Sequence, residues 1–165
     1  MQVPVPQFGE RAAMIAQLQN FIGITEETKQ QGPEIWTLIE PQADELLRAF
    51  YAKVRAAHIN ANVTEAAIQP LIAKQKRHWA ALFGSRFDED YTSGVRQLDA
   101  RHREVDVDRM WYVLGCEALK IAFTETIVDS SLPPIKKGRL IKTLGKYMAF
   151  DVALSLSPYQ TELVD

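Results

Sequence analysis

Cysteine is nearly missing from this chain: Cys116 is the only one in 165 residues. That excludes an internal disulfide and any cysteine-built zinc or iron–sulfur site, and nothing marks an oxidising compartment. Cys116 itself stands in an apolar helical segment and reads as a small core residue rather than a reactive thiol. Basic excess is missing too. The 19 Lys and Arg against 21 Asp and Glu leave a formal net charge of −2, so no nucleic-acid partner is expected. The one concentrated basic run, Lys136-Lys137-Gly138-Arg139, reads as a solvated helix start. No apolar run approaches the ~20 residues of a membrane span. The N-terminus lacks the basic-then-apolar pattern of a signal peptide, so the expectation is a cytoplasmic chain without a membrane segment. There is no glycine-rich phosphate loop and no nucleophile elbow.

What is present is apolar and helical. The composition is 47% hydrophobic and 24% charged, enough for one domain with a real core and no need of a staple. Residues 10 to 21 carry Met14, Ile15, Leu18 and Phe21 at helical spacing. Thr25 is a good N-cap, with Glu26 and Glu27 favourable in the first turn behind it. Pro41 suits the opening of a third helix, whose apolar side is Ala43, Leu46, Leu47, Phe50, Tyr51 and Val54. Thr64 caps a long helix that runs to Phe83 and ends at Gly84. Asp88 begins the next, a helix follows over 107–129, and Pro133-Pro134 precedes the last, with Ile135, Leu140, Ile141, Leu144, Tyr147, Met148 and Val152 inward. No alternating strand pattern competes. The fold class is all-α, with about seven or eight helices, and the last two are apolar enough to serve a dimer interface as well as a core.

Only three histidines occur: His58, His78 and His102. His58 falls near the end of the third helix, and His78 sits beside Trp79 in the long one. His102 shares one face of its helix with Tyr91, Val95, Leu98 and Val105, spaced by four and three in turn. The plain reading of such a residue is a hydrogen-bonded core histidine. The sharper reading is an axial ligand, since a neutral imidazole is a usual protein donor to haem iron. A zinc site from His102 and Asp106 would lack its remaining ligands.

Three segments resemble the sensor domain of globin-coupled sensors. They are Leu46-Leu47-Arg48-Ala49-Phe50-Tyr51, then Lys76-Arg77-His78-Trp79-Ala80-Ala81-Leu82-Phe83 with Phe87-Asp88 and Tyr91, and finally Ala100-Arg101-His102 with Met110-Trp111-Tyr112. Their order and spacing carry the resemblance over roughly Ile22 to Tyr159. It implies a globin-like fold with an extra N-terminal helix and long C-terminal helices. The expected division is a single sensor domain over 1–165: an N-terminal extension at 1–22, a globin core at 23–159, and the start of a linker to an output domain at 160–165.

The resemblance also implies haem b, with His102 as the proximal iron ligand and Tyr51 as the distal hydroxyl that hydrogen-bonds bound oxygen. Phe50, Leu71, Trp111 and Tyr112 would line the pocket, and His78 would be structural. Lys74 stands where some relatives place a small polar distal residue, and its length lets it reach a haem propionate or solvent. A second departure is Val105-Asp106-Val107-Asp108-Arg109, where relatives commonly show an Ile-Gly-Leu-x-Pro-like stretch. The expected role is therefore a haem-based sensor of oxygen or another diatomic gas, not itself an enzyme, working as a homodimer through its last two helices. The alternatives are a stand-alone haem globin with nitric oxide dioxygenase-like activity and a haem-free helical interaction or stress-sensing module.

Overall fold

Side chains cap the starts of the helices that follow Thr25 and Asp108, whereas Thr64 stands before its helix without a capping side-chain hydrogen bond. The computed structural model describes residues 8–104 and 108–156, with side chains from 12 to 96 and from 108 to 156. Its elements are α1 (Phe8–Ile22), α2 (Glu26–Ile39), a 3-10 turn (Glu40–Gln42), α3 (Ala43–Ala56), α4 (Glu65–Phe83), α5 (Glu89–Glu104), α6 (Arg109–Val128) and α7 (Pro134–Ser155). Among the described residues there is no strand. No described helix is long and apolar enough to cross a membrane.

Gly23 ends α1 in the left-handed region at φ 85°, where a side chain is costly, and the Lys146 ammonium donates to its carbonyl at 3.0 Å. Thr25 caps α2 as expected: its hydroxyl accepts from the Thr28 amide while the Thr28 hydroxyl accepts from the Thr25 amide. Pro41 does not open α3. It lies in the 3-10 turn, and α3 begins two residues later at Ala43. Asp108 starts α6 by accepting from the Met110 amide at 2.8 Å.

The core is aromatic and closely tied to α7, which packs against α1, α2, α5 and α6. Phe83, Phe123 and Tyr147 are fully buried and lie ring to ring. Around them close Ile35, Ile39, Leu47, Ile72, Leu82 and Leu144, all completely buried. Gly32 lets α2 approach this core, since a Cβ there would fall 2.2 Å from the Ser85 hydroxyl and 2.5 Å from the Phe83 carbonyl. The Ser85 hydroxyl in turn meets the Tyr147 hydroxyl at 2.7 Å.

Two side chains expected inward face out instead. Phe21 is 91% exposed on α1 and Ile135 is 74% exposed at the start of α7. Both lie within one turn of a helix end, where few neighbours exist to cover them. On α6 the buried residues are Leu119, Phe123, Thr126 and Ile127, whereas Met110, Trp111, Leu114, Ile121 and Val128 are exposed. The helix thus has two apolar faces and uses one of them in the core.

Candidate functional site

The sequence-predicted site residues come from three helices. α3 presents Phe50 and Tyr51, α4 presents Leu71 and Lys74, and α6 presents Trp111 and Tyr112. Tyr51 is buried, with 6% of its surface exposed. Phe50 lies edge-on to it at 5.3 Å between ring centroids. The tip of Phe50 reaches the backbone of α6, where a Cβ on Gly115 would touch it at 3.4 Å. Leu71 is half-buried and packs on the core. These contacts set Phe50 between Tyr51 on α3 and the second turn of α6.

Lys74 does not share that environment: it is exposed on α4. The residue that meets Tyr51 is its neighbour Gln75, whose side chain hydrogen-bonds to the Tyr51 hydroxyl. Burial pushes that hydroxyl up to about 12, and the Gln75 hydrogen bond pulls back only part of the shift. The phenol therefore keeps its proton at any ordinary pH. A phenolic hydroxyl can accept and donate at once, so contact with Gln75 does not exhaust its capacity. Gln75 was legible in principle, for it lies on the line of Ile68, Ile72 and Trp79, all buried on one face of α4.

Trp111 is 40% exposed in the first turn of α6. Tyr112 beside it is half-buried, and its hydroxyl bonds to Ser155 and Cys116. Burial raises Tyr112 far above the usual phenol value and pushes the Cys116 thiol up to about 12. Cys116 is therefore an inert thiol, in keeping with a core role. His102 falls on α5, whose helix register places it eleven residues, just over three turns, after Tyr91. Its side chain lies outside the described residues, as do Val105, Asp106 and Val107. His58 is exposed at the end of α3.

A second polar cluster lies deeper. His78 of α4 is 7% exposed and meets Asp151 of α7, also 7% exposed. The imidazole Nε2 stands 2.9 Å and 3.1 Å from the two carboxylate oxygens. The Tyr91 hydroxyl of α5 donates to the same carboxylate at 2.5 Å, and its ring stacks on His78 at 5.7 Å. Burial alone would lower the His78 pKa, but the charge of Asp151 and its hydrogen bond outweigh that and raise it. Burial and then Asp151 hold Tyr91 well above the usual phenol value. The other ring nitrogen, Nδ1, is buried without a partner and faces Gly94. Asp151 is the member that sequence reasoning missed. It sits on the apolar line of Leu140, Leu144, Tyr147 and Leu154, where a carboxylate needs donors to offset its burial.

Comparison with known proteins agrees with this architecture. The fold matches the globin domain of the Geobacter sulfurreducens globin-coupled sensor with a TM-score of 0.72 at 14% identity, covering 85% of this chain and 93% of that one. Curated proteins give no match. The family model described as Protoglobin matches residues 11–165. With nearly the whole chain covered and a globin fold observed, this chain belongs to the Protoglobin family, and membership of a globin family implies a bound haem that takes up a diatomic gas.

Proposed function

We infer that the chain is a haem-based gas-sensing domain of a signalling protein, with His102 as the axial ligand to haem b and Tyr51 as the hydrogen-bond donor to oxygen. The observation that carries it is a buried phenol, held protonated and set beside Gln75, next to the half-buried ring of Phe50. The residues present fit the group. Phe50 and Leu71 give apolar walls that are only half-buried, and Trp111 leaves apolar surface open at the start of α6. A flat apolar ring system would cover that surface.

When bound, haem would supply an iron that coordinates an imidazole, the part given to His102, and takes up a diatomic gas. The chain's part is to place one donor and exclude the rest. Tyr51 is fixed by Phe50, Gln75 and the packing of α3, so its hydroxyl needs no reorganisation to donate. A neutral donor favours a ligand that gathers negative charge, and so favours oxygen over carbon monoxide. Lys74, exposed on α4, reaches solvent or a haem propionate and leaves the pocket itself uncharged.

Signalling by a second copy is supported by the unused face of α6. Leu114, Ile121 and Val128 repeat every seven residues and are exposed, the spacing of a helix–helix seam. On α7, Gly138 and Gly145 have open space where a side chain would stand, so a neighbouring helix can come close. These two helices would form the homodimer. A cytoplasmic setting accords with the lone, half-buried cysteine. The role is sensing, with any enzymatic output belonging to another domain.

The deciding experiment is the ultraviolet–visible spectrum of the purified protein, reduced and then exposed to oxygen, beside His102→Ala. A haem spectrum that changes reversibly with oxygen and is lost in the variant is expected. A colourless protein that refuses added haem would overturn the reading in favour of a haem-free helical module. Light scattering at micromolar concentration should report a dimer, and a strict monomer would remove the α6–α7 interface.

A further inference from the structure

We propose that Asp151 is a positioning residue for the iron ligand: through Tyr91 and His78 it fixes the start of α5 against α4 and α7, and so sets how His102 is presented three turns along the same helix. The inference rests on the reading of His102 as axial ligand. It begins from an oddity in the core. Asp151 is the one carboxylate buried on the apolar line of α7, and removing a carboxylate from water is costly unless strong donors meet it. It has two such donors, and they come from two other helices. Tyr91 donates at 2.5 Å from α5 and His78 lies at 2.9 Å on α4. Three helices therefore meet at one carboxylate, with directional bonds that specify angle and register where apolar packing would specify only proximity.

The geometry transmits along α5. Tyr91 and Val95 are buried on the face that includes position 102 by helix register. A displacement of Tyr91 is passed along a continuous hydrogen-bonded helix over about 16 Å. The cluster also reaches α6. The Ser155 hydroxyl donates to the Asp151 carbonyl at 2.9 Å, and Tyr112 bonds to Ser155 and Cys116. A ligand-induced shift of α5 thus meets α7 at a fixed polar joint. Apolar packing could absorb such a shift by sliding, while a joint of short hydrogen bonds passes it on.

The test uses the haem-loaded full chain. Asp151→Asn keeps the shape and an acceptor oxygen for Tyr91 but removes the charge. In the reduced, gas-free protein its iron–imidazole stretching band should shift from wild type, and its haem should pass to a competing apoprotein roughly tenfold faster, within the range of substitutions coupled to a site through a packed network. In a Tyr91→Phe background the same substitution should add little, because the path to α5 is already cut. Ile35→Ala, which opens the core in α2, serves as the control for lost stability and should leave the band in place. A wild-type band in Asp151→Asn, or an equal shift in Ile35→Ala, would overturn the proposal. If circular dichroism shows Asp151→Asn unfolded, His78→Gln and Tyr91→Phe replace it, and an unshifted band in both overturns the proposal. His102→Ala separates the two readings: loss of the band there keeps His102 as ligand whatever Asp151 does, whereas a retained band removes both.

Discussion

Less than one turn of α4 separates two polar sites of opposite character. At Gln75 the helix meets a single buried phenol, which burial keeps protonated. At His78 it meets a carboxylate that is already saturated, by the imidazole on one side and the Tyr91 hydroxyl on another. The first site is walled by side chains that are half-buried or exposed, Phe50, Leu71 and Trp111 among them. The second is closed on all sides, its members 7% exposed or less. A neutral hydroxyl beside uncovered apolar surface can serve a ligand, whereas a closed cluster built on one carboxylate specifies geometry, even with the His78 Nδ1 left without a partner. The two differ in what they leave undone.

The sharpest way to break that contrast is to delete a group from each side and ask which property moves. Asp151→Ala should cost about 3–5 kcal/mol of folding stability in denaturant titration, because it strands a buried imidazole and a phenol. Tyr51→Phe should hardly change stability but should speed oxygen release roughly ten- to a hundredfold, the loss of about 1–3 kcal/mol of hydrogen bonding. An unchanged release rate in stopped flow would remove Tyr51 from the distal role.

The closed cluster should also carry a pH signature that the open site lacks. The His78 pKa is raised in the folded state above its ordinary 6.5, so the folded protein binds the proton more tightly than the unfolded chain. Its stabilising contribution is full below pH 6.5 and is lost as pH rises through the raised value. The melting temperature should fall over that interval, and by less in His78→Gln. Tyr51, pushed up to about 12, should give no such slope near neutrality. If both proteins follow the same curve, His78 is not the group responsible.

The smallest effects fall on the rim of the open site. Gln75→Leu should alter oxygen release about fivefold, as expected for one neutral hydrogen bond of ~1 kcal/mol. Lys74→Ala should change stability by less than about 0.5 kcal/mol, since its side chain is exposed. A large effect of Lys74 on gas release would move it from the rim into the pocket and reverse the assignment of the two neighbours.

Local rules made the helices and much of the site legible in the amino-acid order. The spacing of Ile68, Ile72 and Trp79 placed the buried face of α4, and Thr25 announced the start of α2. Phe50 and Tyr51 could be picked out because they close a recognisable run on α3. Other features depended on what neighbouring helices supply. Lys74 and Gln75 are adjacent, and a shift of 100° around the helix separates an exposed ammonium from a half-buried amide. Sequence spacing resolves that only when the facing helix is known. Phe21 and Ile135 are apolar and on phase, yet exposed, because a helix end has few partners to bury it.

The sequence by itself determined that this chain is helical throughout its core, that Tyr51 stands on an apolar face, and that His102 shares a helix face with Tyr91 and Val95. Those are properties of period and propensity, which act over a few residues. Only the tertiary structure decided that Gln75 meets Tyr51, and that the carboxylate of Asp151 unites α4, α5 and α7. His78 and Asp151 are 73 residues apart, and no local rule links them. The pairing arises because burying a carboxylate without donors is prohibitive, so the fold that closes this core is one that brings His78 and Tyr91 to it.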